Sequence, residues 1–240
     1  MPQRGETSAR VIASQLRSLA NPEDARQQAR YFKTGPGEYG EGDQFLGIRI
    51  PVLRQLARQY DALPLEKCIQ LLQSPIHEQR MLALLIMIRQ YPRADEVVQK
   101  RLYQAYLKQT EHINNWDLVD VSAPRIVGQW LYTHPKDRAL LGKLAASPIL
   151  WRRRIAVIAT LYFIQQGQFS PTLRLARALL DDRHDLIHKA VGWMLREVGK
   201  RELAAERDFL DRYAARMPRT MLRYAIEKFP ARLRQDYLQR

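Results

Sequence analysis

Apolar residues recur at three- and four-residue spacing along nearly the whole chain, and alternating runs of the β type are hard to find. A period near 3.6 puts such residues on one side of a helix, so the chain must fold as packed helices and needs no strands. Helix starts are marked as well. Asn21-Pro22-Glu23-Asp24 supplies an N-cap, a first-turn proline and two acids at the positive end of the helix dipole. Ser74-Pro75 and Ser170-Pro171 read the same way. Boundaries set in this manner predict helices near 6–19, 22–33, 51–60, 64–73, 76–91, 95–110, 114–132, 137–146, 149–165, 170–181, 184–199, 201–215, 219–229 and 231–239, each edge good to roughly two to four residues.

Short links between antiparallel helices fit a bundle or a stacked solenoid. Self-comparison favours the solenoid. The segments IHEQRMLALLIMIRQY, LWRRRIAVIATLYFI, LIHKAVGWMLRE and MLRYAIEKF can be laid over one another with Arg80, Arg154, Lys189 and Arg223 in one slot near a helix start. The steps are 74, 35 and 34 residues, and 74 is twice 37, which leaves room for one more copy near residue 117. A helix-pair repeat of that period is typical of helical solenoids. The expectation is an all-α curved solenoid forming one domain over 1–240, with an N-terminal helical cap over 1–60 and about five helix pairs over 61–240.

Equivalent slots in a solenoid line up, so four cations in register predict a basic concave stripe near helix N-termini, where free N–H groups also favour phosphate. The 39 Lys and Arg against 25 Asp and Glu give a formal net charge of +14, which points to a polyanionic partner, most simply duplex DNA. A single cysteine, Cys68, excludes an intramolecular disulfide and reads as a small buried hydrophobe. With no secretory pattern at the N-terminus and no long uncharged apolar run, the expected location is the cytoplasm, with no membrane contact.

The odd copy is INNWDLVDVSAPRIVGQW, which puts Asp117 at the cationic slot and Asp120 about one turn on. Trp116 and Asp120 are four apart and share a helix side, and Pro124 removes the N–H that would bond the Asp120 carbonyl, loosening the helix there. A carboxylate among phosphate-binding cations either pairs with an arginine, Arg154 being the obvious mate, or performs chemistry. Trp193, four residues after Lys189 and next to Gly192, is the second aromatic candidate, while Trp130 and Trp151 read as core.

The strings ARYFK (29–33), FLGIRIPVLRQL (45–56), NNWDLVD (114–120), WRRRIA (151–156) and KAVGWMLRE (189–197) resemble, in this order, the AlkD-like DNA alkylation repair glycosylases built from HEAT-like repeats. The similarity runs from about Arg30 to Phe229, and Trp-Asp-x-Val-Asp is its most specific part. The resemblance implies that Asp120 is the catalytic carboxylate, that Trp116 and Trp193 are aromatic walls with Arg154 beside them, and that Tyr31 faces DNA. Arg153 and Arg196 join Arg80, Lys189 and Arg223 as expected DNA contacts. The implied reaction is hydrolysis of the N-glycosidic bond of purines alkylated at N3 or N7, by a monomer on double-stranded DNA, with no metal or cofactor.

The segment TGPGEYGEGD, within loop 34–44, departs from this pattern by its length. Related subfamilies with an insertion near the groove suggest the alternative, a protein binding branched or distorted DNA with this loop as a wedge and no excision. Gly35-x-Gly37-x-x-Gly40 in the same loop matches a dinucleotide fingerprint only formally, because no strand precedes it and Glu38, Glu41 and Asp43 would repel a pyrophosphate. His184 and His188 are four apart but lack an evident third metal ligand.

Overall fold

The computed structural model describes residues 8–240, and among these the only β pairing is an isolated bridge between Gln44 and Ile76. All else is helix and turn. The helices are α1 (Ala9–Ser18), α2 (Pro22–Tyr31), α3 (Ile50–Gln59), α4 (Leu65–Leu72), α5 (His77–Gln90), α6 (Glu96–Lys108), α7 (Trp116–Ala123), α8 (Gln129–Thr133), α9 (Ala139–Ala145), α10 (Leu150–Gln165), α11 (Ser170–Ala178), α12 (Asp185–Gly199), α13 (Leu203–Tyr213), α14 (Arg219–Ala225) and α15 (Ala231–Leu238). The periodicity argument therefore holds along the described chain. The expected start of the first helix at 6 lies outside the described residues, and α1 opens on Ser8, whose side chain accepts from the Val11 N–H.

Asn21 caps α2 as expected, its Oδ1 accepting from the N–H groups of Glu23 and Asp24 at 3.0 and 3.2 Å. The two serines behave differently. Ser74 Oγ accepts from Ile76 N at 3.1 Å, inside a turn, and α5 begins only at His77. The delay has a cause: Gln44 N donates to Pro75 O and His77 N donates to Gln44 O, which holds Ile76 extended. At α11 the capping position is Phe169, and Ser170 is already helical.

The expected helix over 114–132 is interrupted where Pro124 predicts. Residues Pro124–Gly128 form a π-helical turn between α7 and α8. Two local features favour it: Pro124 has no N–H to offer Asp120, and Ser122 Oγ donates back to the Leu118 carbonyl at 2.5 Å, a bond that bends helices. Gly128 completes the segment, because a Cβ there would stand 2.2 Å from the Ala159 carbonyl oxygen of α10.

Contacts group the chain into two compact units, Met1–Ser122 and Ala123–Arg240. In the first, α5 packs on α3 and α4, with α1 against α4, around Leu53, Cys68, Leu82 and Ile86. In the second, α10 packs on α9, α11 and α12, and α12 packs on α13 and α14, so helix pairs stack in sequence order. Gly192 allows α12 and α14 to approach closely, since a Cβ would lie 2.4 Å from Met221 O on α14.

Candidate active site

In the first unit the site is built outward from Glu78. This buried carboxylate accepts from the N–H groups of Leu46, Gly47 and Ile48 at 2.8 to 3.2 Å. Gly47 makes the turn possible with φ +80 and no Cβ, which would otherwise meet Asn21 O at 2.2 Å. The chain before α3 is thereby tied to the first turn of α5, with Phe45 laid on His77, ring centroids 4.6 Å apart. Phe32 stacks on Phe45 at 5.2 Å and on Trp116 at 5.3 Å, and Tyr31 meets Trp116 edge-on at 5.9 Å. Tyr31 is 66% exposed, so the row of rings runs from the buried imidazole to the surface.

Beneath the rings lies a buried ionic cluster. His77 Nε2 is 2.8 Å from Asp117 Oδ2 and its Nδ1 is 3.3 Å from Asp43 Oδ2. Arg80 Nη2 donates to Asp43 Oδ1 at 2.6 Å and Asn115 Nδ2 donates to Asp43 Oδ2 at 3.2 Å. Ionised carboxylates only accept, so the two that face the ring nitrogens of His77 favour the imidazolium, while Arg80 Nη2, 3.4 Å from Nδ1, opposes it. Burial opposes that charge, but the Asp117 carboxylate and the hydrogen bonds that both acids accept from the ring outweigh it and push the His77 pKa up to about 9. Burial likewise works to raise Asp43, yet His77, Arg80 and Asn115 together hold it below its ordinary value.

Trp116 and Asp120 lie on the same side of α7, half-buried, directly before the π-helical turn. Counting from the helix starts sharpens the repeat register: Asp120 is the fifth residue of α7, as Arg154, Lys189 and Arg223 are of α10, α12 and α14. Asp120 stands at the same count from its helix start as these three cations, and Asp117 reaches His77 in the buried cluster.

The expectation of an exposed cation in four copies is revised for two of them. Arg80 is 4% exposed and Arg154 5% exposed. Arg80 belongs to the cluster above because Asp43 reaches it from the glycine-rich loop. Arg154 Nη1 donates to Leu186 O at 2.5 Å in the first turn of α12, the helix that carries Lys189 and Trp193. Lys189 pairs with Asp185 at 2.7 Å, and Arg153 pairs with Asp182 at 2.7 Å while donating to the carbonyls of Ser147 and Pro148. Arg196 is paired with Glu227, and Arg223 is exposed. Trp193 is half-buried with its indole N–H donated to Glu197 at 3.1 Å, whereas Trp130 and Trp151 are buried.

Charge is unevenly shared. Residues 123–240 hold 23 Lys and Arg against 11 Asp and Glu, a net +12, and residues 1–122 hold 16 against 14, a net +2. His184 and His188 are engaged locally: His184 Nδ1 accepts from Leu186 N at the start of α12, and His188 Nε2 contacts Asp182 O. Among the described residues no group of three His, Cys, Asp or Glu side chains is gathered as a metal would need, and no helix is long and apolar enough to cross a membrane.

The sequence profile of the DNA alkylation repair enzymes matches residues 12–229. The chain belongs to that family. A structure described as a predicted DNA alkylation repair enzyme from Enterococcus faecalis is similar, with 18% identity, TM-score 0.68, and coverage of 88% of this chain and 97% of the other. The crystal structure of smu.31 from Streptococcus mutans UA159 is similar at 16% identity and TM-score 0.53, covering 93% and 99%. At these identities the likeness speaks for the fold. No curated protein matches. The family's role in DNA repair makes DNA the natural substrate.

Sequence reasoning missed the cluster of Asp43, His77 and Asn115 and the rings of Phe32 and Phe45. One signal was available: His77 and Arg80, three apart at a helix start, put two basic side chains on one face of α5 directly before the apolar run 81–87.

Proposed function

We propose that the protein is a DNA glycosylase of the alkylation repair family that hydrolyses the N-glycosidic bond of purines made cationic by alkylation at N3 or N7. The observation that carries the reading is the pair Trp116 and Asp120 on one side of α7, immediately before a helix turn opened by Pro124, in a chain that belongs to this repair family. A cationic purine leaves with the bonding electron pair as a neutral base, so the reaction needs no general acid, unlike glycoside hydrolysis with two carboxylates. Asp120 supplies the one anion, stabilising the oxocarbenium character at C1′ and orienting the water that adds there. Trp116 offers its π face to the developing cation, a role the family resemblance also implies for Trp193, and Arg154 steadies the start of α12, the helix that carries Trp193. Lys189, Arg153, Arg196, Arg223 and Tyr31 serve as contacts to the duplex, with the electrostatic attraction concentrated in residues 123–240.

The test is release of free 7-methylguanine or 3-methyladenine from methylated duplex by the wild-type protein, with Asp120→Asn reducing the rate by about a hundredfold or more. No release by the wild type removes the reading. A second reading, binding of branched or distorted DNA, is favoured by the order of loop 34–44. Its acids cap its own backbone, Gly35 N donating to Glu38 and Gly37 N to Glu41, both at 2.9 Å, and Asp43 anchors its base. That reading requires tighter binding to junctions than to plain duplex, lost when residues 35–43 are deleted.

A further inference from the structure

The residues on either side of Trp116 are both held by the buried ionic cluster. Asn115 donates to Asp43, while its Oδ1 accepts the Trp116 backbone N–H at 2.8 Å. Asp117 accepts from His77 with one oxygen and from the Leu118 N–H at 2.8 Å with the other. Phe32 covers one face of the Trp116 ring, and Phe32 in turn rests on Phe45, which rests on His77. The start of α7 and the indole above it are thus fixed by one set of side chains, drawn from a loop, a helix start and the turn before α7.

An ion cluster removed from water is a costly way to fill space, since apolar residues of like volume give equal or better stability. What such a cluster does supply is a single geometry, because each donor has one acceptor position. We propose that Asp43, His77, Arg80, Asn115 and Asp117, with Phe32 and Phe45, are positioning residues that set the orientation of the Trp116 ring. Arg80 and Asp117, both expected from sequence to face the DNA side, act instead from beneath. The kinetic consequence rests on the glycosylase reading; the orientation of the ring does not.

The test uses the full chain and has two readouts. The near-ultraviolet circular dichroism lost in Trp116→Phe defines the signal of the ordered indole. Asp117→Asn, which keeps the shape but removes the charge that holds His77, is expected to lose most of that same signal with an unchanged far-ultraviolet spectrum. In single-turnover base release it is expected to slow the reaction about tenfold or more, with duplex affinity within about twofold, as loss of preorganisation predicts. If Asp117→Asn fails to fold, Phe45→Leu removes a half-buried ring from the stack without touching the charges, and should lose part of the same signal. A folded variant that keeps the full Trp116 signal overturns the proposal. Should the wild type release no base, the glycosylase reading falls alone and the spectral comparison still decides the orientation of Trp116.

Discussion

Glu206 gives the most quantitative prediction. It lies on α13, is 1% exposed, and its Oε1 has no hydrogen-bond partner. The carboxyl is pressed against Gly199 at the end of α12, where an added Cβ would fall 1.6 Å from Glu206 Oε2. Burial raises its pKa to about 8 even though the Arg196 cation pulls the other way. An acid free to ionise near 4.5 in the unfolded chain but held neutral to about 8 in the fold contributes fully below pH 4.5. The contribution fades as pH rises through 8, because the unfolded state releases its proton first. At about 1.4 kcal/mol per pH unit the loss from pH 5 upward through 8 amounts to about 4 kcal/mol. Glu206→Gln keeps the shape and cannot titrate, so its stability relative to wild type should climb from pH 5 to pH 9 by about that amount. Denaturant melts of both proteins at several pH values, followed by circular dichroism, measure the difference. A gap that stays constant with pH would refute the reasoning and mean that Glu206 is ionised and neutralised by Arg196.

His77 predicts a similar alkaline loss in the first unit: its folded pKa of about 9 exceeds the ordinary 6.5, so its contribution is complete below 6.5 and disappears as pH rises through 9, a total of about 3 kcal/mol. Asp117→Asn should flatten that dependence, as read from denaturant melts between pH 6 and pH 10. Gly192→Ala should destabilise the chain by about 1–3 kcal/mol, because its Cβ would press on Met221 O and separate α12 from α14; a thermal melt indistinguishable from wild type would contradict the close approach. Arg223→Glu should weaken duplex binding without sequence preference and make the dependence on salt shallower, measured by anisotropy titrations at several salt concentrations.

The helices were legible because they depend on information close at hand: spacing of apolar residues, Asn21 as a cap, Pro124 as a breaker. Where expectation and structure part, the deciding contact is distant in sequence. Ser74-Pro75 has the composition of a helix start, but pairing with Gln44, some thirty residues earlier, postpones α5 to His77. Arg80 looked like a phosphate contact because its repeat mates occupy a comparable slot, yet Asp43 reaches it from a glycine-rich loop that periodicity cannot place. The same loop matched a dinucleotide fingerprint only formally. In the structure Gly37 has a positive φ, and Gly40 lets the chain pass Phe32 O, where a Cβ would stand 2.4 Å away. The half-buried tryptophans were separable from the buried ones by their neighbours, Asp120 for Trp116 and Lys189 for Trp193.

Charge and chemistry divide differently along the chain. A carboxylate meant to stabilise a developing cation at C1′ has to keep its anionic character while the protein around it attracts phosphate, and a dense field of arginines would neutralise it. Residues 1–122, which carry Asp120, are nearly balanced, and the cations nearest its helix start, His77 and Arg80, are already matched by Asp117 and Asp43 inside the cluster. The surplus of twelve positive charges belongs to residues 123–240, where Lys189, Arg223 and their neighbours stand at or near helix starts that favour phosphate. Under the glycosylase reading, the charges of the cluster cancel among themselves, and its effect on the reaction runs through the Trp116 indole that it fixes. Neutralising Asp117 should then cost activity through the loosened indole, because His77, without the carboxylate that raises its pKa, gives up its proton and its hold on α7.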